Sequence, residues 1–167
     1  KMHLKMLNVK WNSKLDFKSM EGNMGFAHTR WSTHGGVTVE NTHPHLDCKQ
    51  EIAVVHNGII ENYAELKSEL IKEGHKFKSE TDTEVVAHLV EKFYNGVSLE
   101  EAVRKTISKL EGSFALAIIS KREPGKLVGA RLGSPLIVGL GERENFLASD
   151  VPAVLGSTKD VIFLEEK

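Results

Sequence analysis

A single cysteine, Cys48, is the only thiol in the 167-residue chain, so no internal disulfide can staple it, and a lone free thiol fits a reducing compartment such as the cytoplasm. An excess of either charge is missing too. Lys and Arg number 22 against 23 Asp and Glu, which leaves a formal net charge of -1 and no electrostatic footprint for nucleic acid or an anionic membrane surface. Long apolar runs are absent: residues 115–119 form one of the longest, far short of the roughly 20 residues a bilayer span requires. Residues 1–11 mix charged and apolar side chains and lack the continuous apolar core of a secretory signal. Repeats, low-complexity tracts and linkers are missing as well, so residues 1–167 read as one domain. What remains, 40% hydrophobic and 27% charged residues, is enough for a globular core.

The patterning runs strands, helices, strands. Residues 1–11 alternate weakly, as an edge strand would, and Ser13 suits a helix N-cap. Residues 24–27 and 51–56 read as strands, the second β-branched and ending in His56-Asn57-Gly58. Three helices follow. Asn62 with Glu65 opens the first and Gly74 ends it; Thr81-x-x-Glu84 opens the second and Gly96 closes it; Ser98-x-x-Glu101 opens the third and Gly112 ends it. Strands are expected over 113–120, 126–131, 136–140, 145–148 and 161–164, with one helical turn over 150–155. The small residues Ala115 and Ala117 suggest close packing on both faces of the first of these. The order is that of an α+β fold with layered sheets.

Polar clusters fall at the ends of these elements. Arg30 offers a planar fork suited to a carboxylate, or equally to a surface ion pair. Asn57-Gly58 pairs a side-chain amide with a permissive backbone N–H, which suits an oxyanion hole and also an ordinary Asn-Gly turn. Asp82 could hold an ammonium group or serve the positive end of its helix. His43, His45, Asp47 and Cys48 raise a metal site, but Pro44 constrains the geometry and no second ligand pair sits at ligand spacing, so no metal is expected. Cys48 with His45 raises a nucleophile–base dyad; adjacency in sequence is poor support for one, and the thiol is taken as incidental.

Taken together, Phe26-Ala27-His28-Thr29-Arg30-Trp31-Ser32-Thr33-His34-Gly35, Asn41-Thr42-His43-Pro44-His45, Val55-His56-Asn57-Gly58-Ile59-Ile60-Glu61-Asn62 and Ser79-Glu80-Thr81-Asp82-Thr83-Glu84 resemble the class II glutamine amidotransferases, in order and at family-like spacing. Gly133-Ser134-Pro135-Leu136 and Ala148-Ser149-Asp150 extend the likeness, and Arg30-Trp31 with His43-Pro44-His45 favours the hexosamine-forming branch. The resemblance implies a four-layer αββα N-terminal-nucleophile hydrolase-like sandwich, here without its opening strand and helix. It implies a glutaminase domain that feeds ammonia to fructose 6-phosphate on sugar-isomerase domains of the same polypeptide, for glucosamine 6-phosphate synthesis, with no cofactor and as a homo-oligomer at full length. Arg30 would bind the glutamine α-carboxylate, Thr33 and His34 would line the pocket, and Trp31 would sit on the closing loop. Asn57 and Gly58 would stabilise the oxyanion, and Asp82 would bind the α-amine. The family's nucleophile is an N-terminal cysteine, whereas residue 1 here is Lys, so these 167 residues alone are expected to be inactive. A non-catalytic glutamine-binding or regulatory module is the rival expectation.

Overall fold

The computed structural model describes residues 23–29, 35–36 and 38–166. The expected edge strand over 1–11 and the Ser13 cap lie outside the described residues, as do Arg30, Trp31, Thr33 and His34. Residues 23–29 form no strand, so the expected strand over 24–27 is not there. Four strands build one sheet in the order β1 (His45–Leu46), β2 (Ile52–Ile60), β3 (Gly112–Ser120), β4 (Leu127–Leu132), and every pair is antiparallel. Three more build a second antiparallel sheet, with β5 (Ile137–Leu140) between β6 (Asn145–Ala148) and β7 (Val161–Phe163). The expected turn over 150–155 is a 3-10 turn, Val151–Ala153, and the Val154 that follows packs at Gly139 of β5. The sheets meet where Gly129 of β4 faces Leu147 of β6 and Leu136; a Cβ on Gly129 would stand 2.9 Å from Leu147 Cδ2.

Helices α1 (Tyr63–Lys72), α2 (Glu84–Phe93) and α3 (Leu99–Ile107) share one hydrophobic core with β2 and β3. Helix α2 is buried over its first seven residues, and β3 is buried from Phe114 to Ser120, which is why its sequence lacks a polar face. Phe114, Leu116 and Ile118 share that core with Val85, Val86 and Leu89, each such side chain contributing about 1.5–3 kcal/mol.

The helix ends follow the sequence in part. Ser98 caps α3 by accepting from the Glu101 amide at 3.3 Å. Gly74 (φ +97) ends α1 in a Schellman turn, with Gly74 N–H donating to Ile71 O and His75 N–H to Leu70 O, both at 3.0 Å. Asn62, expected to cap α1, instead spans to the segment before β3: its Nδ2 donates to Lys109 O and its Oδ1 accepts from Glu111 N. Helix α2 begins at Glu84 rather than after Thr81, because Glu84 turns its carboxylate back onto the preceding loop. Gly112 opens β3 rather than ending α3, and its φ of +110 accommodates Ile59 O, which would lie 2.3 Å from a Cβ.

Candidate active site

Asn57 and Gly58 lie inside β2, not in a turn beyond it. The strand pairs with β3 without interruption from Ile52↔Ser120 to Ile60↔Gly112, so the Asn-Gly turn is excluded. Gly58 makes this continuity possible. At φ +123, a Cβ would stand 2.0 Å from Ser113 O, closer than any side chain tolerates.

The ladder also fixes where the Gly58 amide points. Residues on an antiparallel strand alternate between exchanging hydrogen bonds with the partner and facing away from it. Lys121 N–H donates to Glu51 O and Glu61 N–H to Glu111 O, so the odd positions of β2 bond β3. The even positions face the opposite edge, where Ile52 N–H meets Asp47 Oδ1 and Ile60 N–H meets Asp82 Oδ2, each at 2.9 Å. Gly58 N–H therefore points away from β3, along the edge that β1 covers only at Ala53 and Val54. The amide of Gly58 and the carboxylate of Asp82 share that edge two residues apart, roughly 7 Å along the strand.

His28, which the sequence places in the first motif but gives no role, completes this end of β2. Its Nε2 lies 2.7 Å from Asn57 Oδ1 and donates to that carbonyl oxygen, which leaves the Asn57 NH2 turned outward on an exposed residue. The His28 ring packs on His43 with centroids 4.2 Å apart, and His43 on His45 at 4.9 Å. His45 Nε2 in turn lies 3.1 Å from Thr81 Oγ1, so the imidazoles form a row from β2 to the loop before α2.

Asp82 is buried. It is not a helix-start acid: its carboxylate binds the β2 edge, two residues ahead of α2. The loop that carries it is built around Glu84, which accepts from Lys78 N (2.9 Å), Ser79 N (2.7 Å) and Ser79 Oγ (2.6 Å). Burial opposes ionisation of Glu84, but the nearby His88 imidazole, with hydrogen bonds from Ser79 and the Lys78 amide, outweighs it and holds the carboxyl at about 2. Asn41 fastens the same loop from outside, accepting from Glu80 N–H at 2.9 Å while its Nδ2 donates to Gly36 O.

The grouping of His43, His45, Asp47 and Cys48 does not assemble. His45 goes to Thr81, and Asp47 accepts from the Glu51 and Ile52 amides. Cys48 lies beyond β1, opposite the start of β2, about six strand residues or roughly 20 Å from Asn57. Burial, aided by Glu91 and Asp47, raises its thiol above the ordinary 9.0 against the Lys76 amide bond that lowers it. Distance and protonation both argue against Cys48 as the thiol that would work with Asn57.

Asn57 and Gly58 thus stand beside a buried carboxylate on an α+β scaffold, and comparison with known proteins defines the class. A family model described as a glutamine amidotransferase domain matches residues 28–156, and the chain belongs to that family. It is 59% identical over 156 residues to the glutamine–fructose-6-phosphate aminotransferase (isomerizing) of Methanothermobacter thermautotrophicus, covering 93% of this chain and 26% of that protein. The protein of the same name from Aquifex aeolicus is 62% identical over 149 residues, covering 89% and 25%. The chain thus spans about a quarter of the length of these relatives. Among solved structures, the glutamine phosphoribosylpyrophosphate amidotransferase of B. subtilis, complexed with ADP and GMP, aligns with a TM-score of 0.66 and 28% identity over 83% of this chain and 30% of that one. The expected α+β fold of the class II amidotransferases is therefore the observed one.

Proposed function

We propose that this chain is the glutamine-hydrolysing part of a glutamine–fructose-6-phosphate aminotransferase (isomerizing). The observation that carries the reading is the pairing of the outward Asn57 amide with a Gly58 N–H that strand parity turns away from β3. A thiolate attacks the glutamine side-chain carbonyl carbon. The resulting oxyanion accepts from Asn57 Nδ2 and Gly58 N–H, the C–N bond breaks with a proton delivered to the departing nitrogen, and ammonia leaves. Water then cleaves the γ-glutamyl thioester to glutamate and restores the thiol. Asp82 binds the substrate ammonium from the same strand edge, and Arg30 binds the α-carboxylate with Trp31, Thr33 and His34 around it. The thiolate comes from a cysteine other than Cys48, and no cofactor or metal takes part in the chemistry.

The ammonia passes to a sugar-isomerase site on the remainder of the polypeptide, which uses fructose 6-phosphate in a cytoplasmic homo-oligomer. In support, the relatives that this chain spans by a quarter carry that name, and no helix among the described residues is long and apolar enough to cross a membrane. The test uses the full-length protein: glutamate release from glutamine, and mass-spectrometric mapping of the residue modified by an electrophilic glutamine analogue. Turnover with the label on a cysteine other than Cys48 supports the reading. Glutamine binding without turnover would make the domain a regulatory module, and a label on Cys48 would overturn the assignment of the site.

A further inference from the structure

Four side chains outside this site converge on one point. Cys48 follows β1, His75 ends the Schellman turn after α1, and His88 and Glu91 sit one turn apart on the same face of α2. Cys48 Sγ lies 3.7 Å from His75 Nδ1 and 3.5 Å from His88 Nδ1, and the two Nδ1 atoms are 3.3 Å apart. Glu91 Oε2 is 3.1 Å from His75 Nδ1 and 3.5 Å from His88 Nδ1. All four ligand atoms fall within 4.8 Å of one another.

We infer that these four residues form a binding site for a zinc-class divalent cation. Each separation is within hydrogen-bond reach, but four groups crowding onto one point is more than pairwise hydrogen bonds require. The separations match the edges of a coordination tetrahedron: bonds of about 2.0–2.1 Å to nitrogen or oxygen and about 2.3 Å to sulfur place nitrogens about 3.3 Å apart and sulfur about 3.5 Å from nitrogen. One thiolate and two imidazoles select zinc-like cations over magnesium or calcium. Thiolate and carboxylate together offset a double positive charge, so the complex is neutral where it enters the interior.

The surroundings fit as well. His88 is fully buried, with no hydrogen-bond partner at Nε2, and that nitrogen faces the Glu84 carboxylate at 3.7 Å. A histidine that gives Nδ1 to a metal carries its proton on Nε2, and a carboxylate there orients the ring. Lys76 N–H points at Cys48 Sγ at 3.5 Å, and Phe77 covers the inner side with its ring 4.4 Å from that of His88. Cys48 is exposed, which gives a cation a way in. With four protein ligands the site is closed and structural, clamping the segment after β1 and the end of α1 onto the helix whose first turn holds the Asp82 loop.

Full-length protein purified without chelator tests this by elemental analysis and by cobalt(II) substitution after the bound metal is removed. The expected result is one zinc-class ion lost on Cys48→Ser, and a cobalt spectrum with tetrahedral ligand-field bands and a thiolate charge-transfer band absent from that variant. His88→Ala alone would be ambiguous because His88 is buried, so the exposed Cys48→Ser and Glu91→Gln carry the test, with circular dichroism to establish that both fold. Folded wild-type protein that takes up neither zinc nor cobalt, or a Cys48→Ser protein that retains the ion and the charge-transfer band, overturns the assignment.

Discussion

His28 Nε2 and Asn57 Oδ1 stand 2.7 Å apart, and this one contact decides which end of the Asn57 amide faces outward. A carbonyl oxygen only accepts, so the imidazole donates, and the NH2 is left as the outward donor. Removing that donor with Asn57→Ala should lower kcat for glutamine hydrolysis by about 10²–10³, the usual loss for one oxyanion donor. His28→Ala keeps the donor but frees its rotation, so kcat should fall by about tenfold. KM for glutamine should stay near the wild-type value in both. Steady-state kinetics on the full-length protein decides the matter: a rise in KM at constant kcat would place His28 and Asn57 in substrate binding instead.

Gly58→Ala should not give a stable protein. The substitution puts a methyl group 2.0 Å from Ser113 O in a strand paired along its whole length, and it imposes φ +123 on a residue with a Cβ. The strands can separate only by breaking the central pairing of the sheet. A loss of about 3 kcal/mol or more is expected, comparable with the most damaging single substitutions. Thermal melts check it, and a melting temperature within a few degrees of wild type would show that β2 and β3 can part at low cost.

Much of this was legible in the sequence because local signals and tertiary demands agree. The β-branched run before His56, the close packing on both faces read from Ala115 and Ala117, and the Ser98-x-x-Glu101 cap each match the structure. The failures occur where a side chain serves a distant partner. Asn62 and Thr81 look like helix caps but bond Lys109 and His45, respectively, from 47 and 36 positions away. His56-Asn57-Gly58 looks like punctuation because glycine usually stops a strand, yet here the glycine is what keeps the strand going. The Cys48 cluster was hidden for a related reason. Only His88 and Glu91 show helical spacing, while Cys48 and His75 arrive from two other segments that the fold brings together. The motif His43-Pro44-His45 raised a metal reading that the sequence argued against, and these rings lie edge-on in a row rather than converge.

Acid should weaken the contact between the β3–β4 turn and the helices. The Lys126 ammonium, then the Tyr94 hydroxyl and the Leu99 amide, hold the Glu123 carboxyl at about 2 rather than its ordinary 4.5. A carboxyl depressed in the folded state adds stability that is fully present above pH 4.5 and is lost as the pH falls toward 2. The group is partly exposed, so salt should shrink the effect. Melting temperatures of wild type and Glu123→Gln should converge as the pH drops from 5 to 2, and curves that stay parallel across that window would remove Glu123 from the acid response.

Glu84 should couple stability to glutamine affinity. Its carboxylate receives three hydrogen bonds from Lys78 and Ser79 and stands at the head of the helix that follows Asp82. Glu84→Ala leaves two amides and a hydroxyl without their acceptor in a buried loop. At about 1.5–3 kcal/mol for a hydrogen bond to a charged group, and with some replaced by water, a net loss of about 3 kcal/mol is expected. Glu84→Gln keeps one carbonyl acceptor and should lose roughly half as much. Asp82 rides on the same loop and bonds Ile60 N–H, so loosening the loop should shift the carboxylate proposed to meet the substrate ammonium. KM for glutamine should therefore rise in the order wild type, Glu84→Gln, Glu84→Ala, with kcat falling less, because Asn57 and Gly58 are held by β3 rather than by the loop. Denaturant melts and glutaminase kinetics on the same three proteins test both halves. A stability loss without any change in KM would detach Asp82 from glutamine binding, even if the fold behaved as expected.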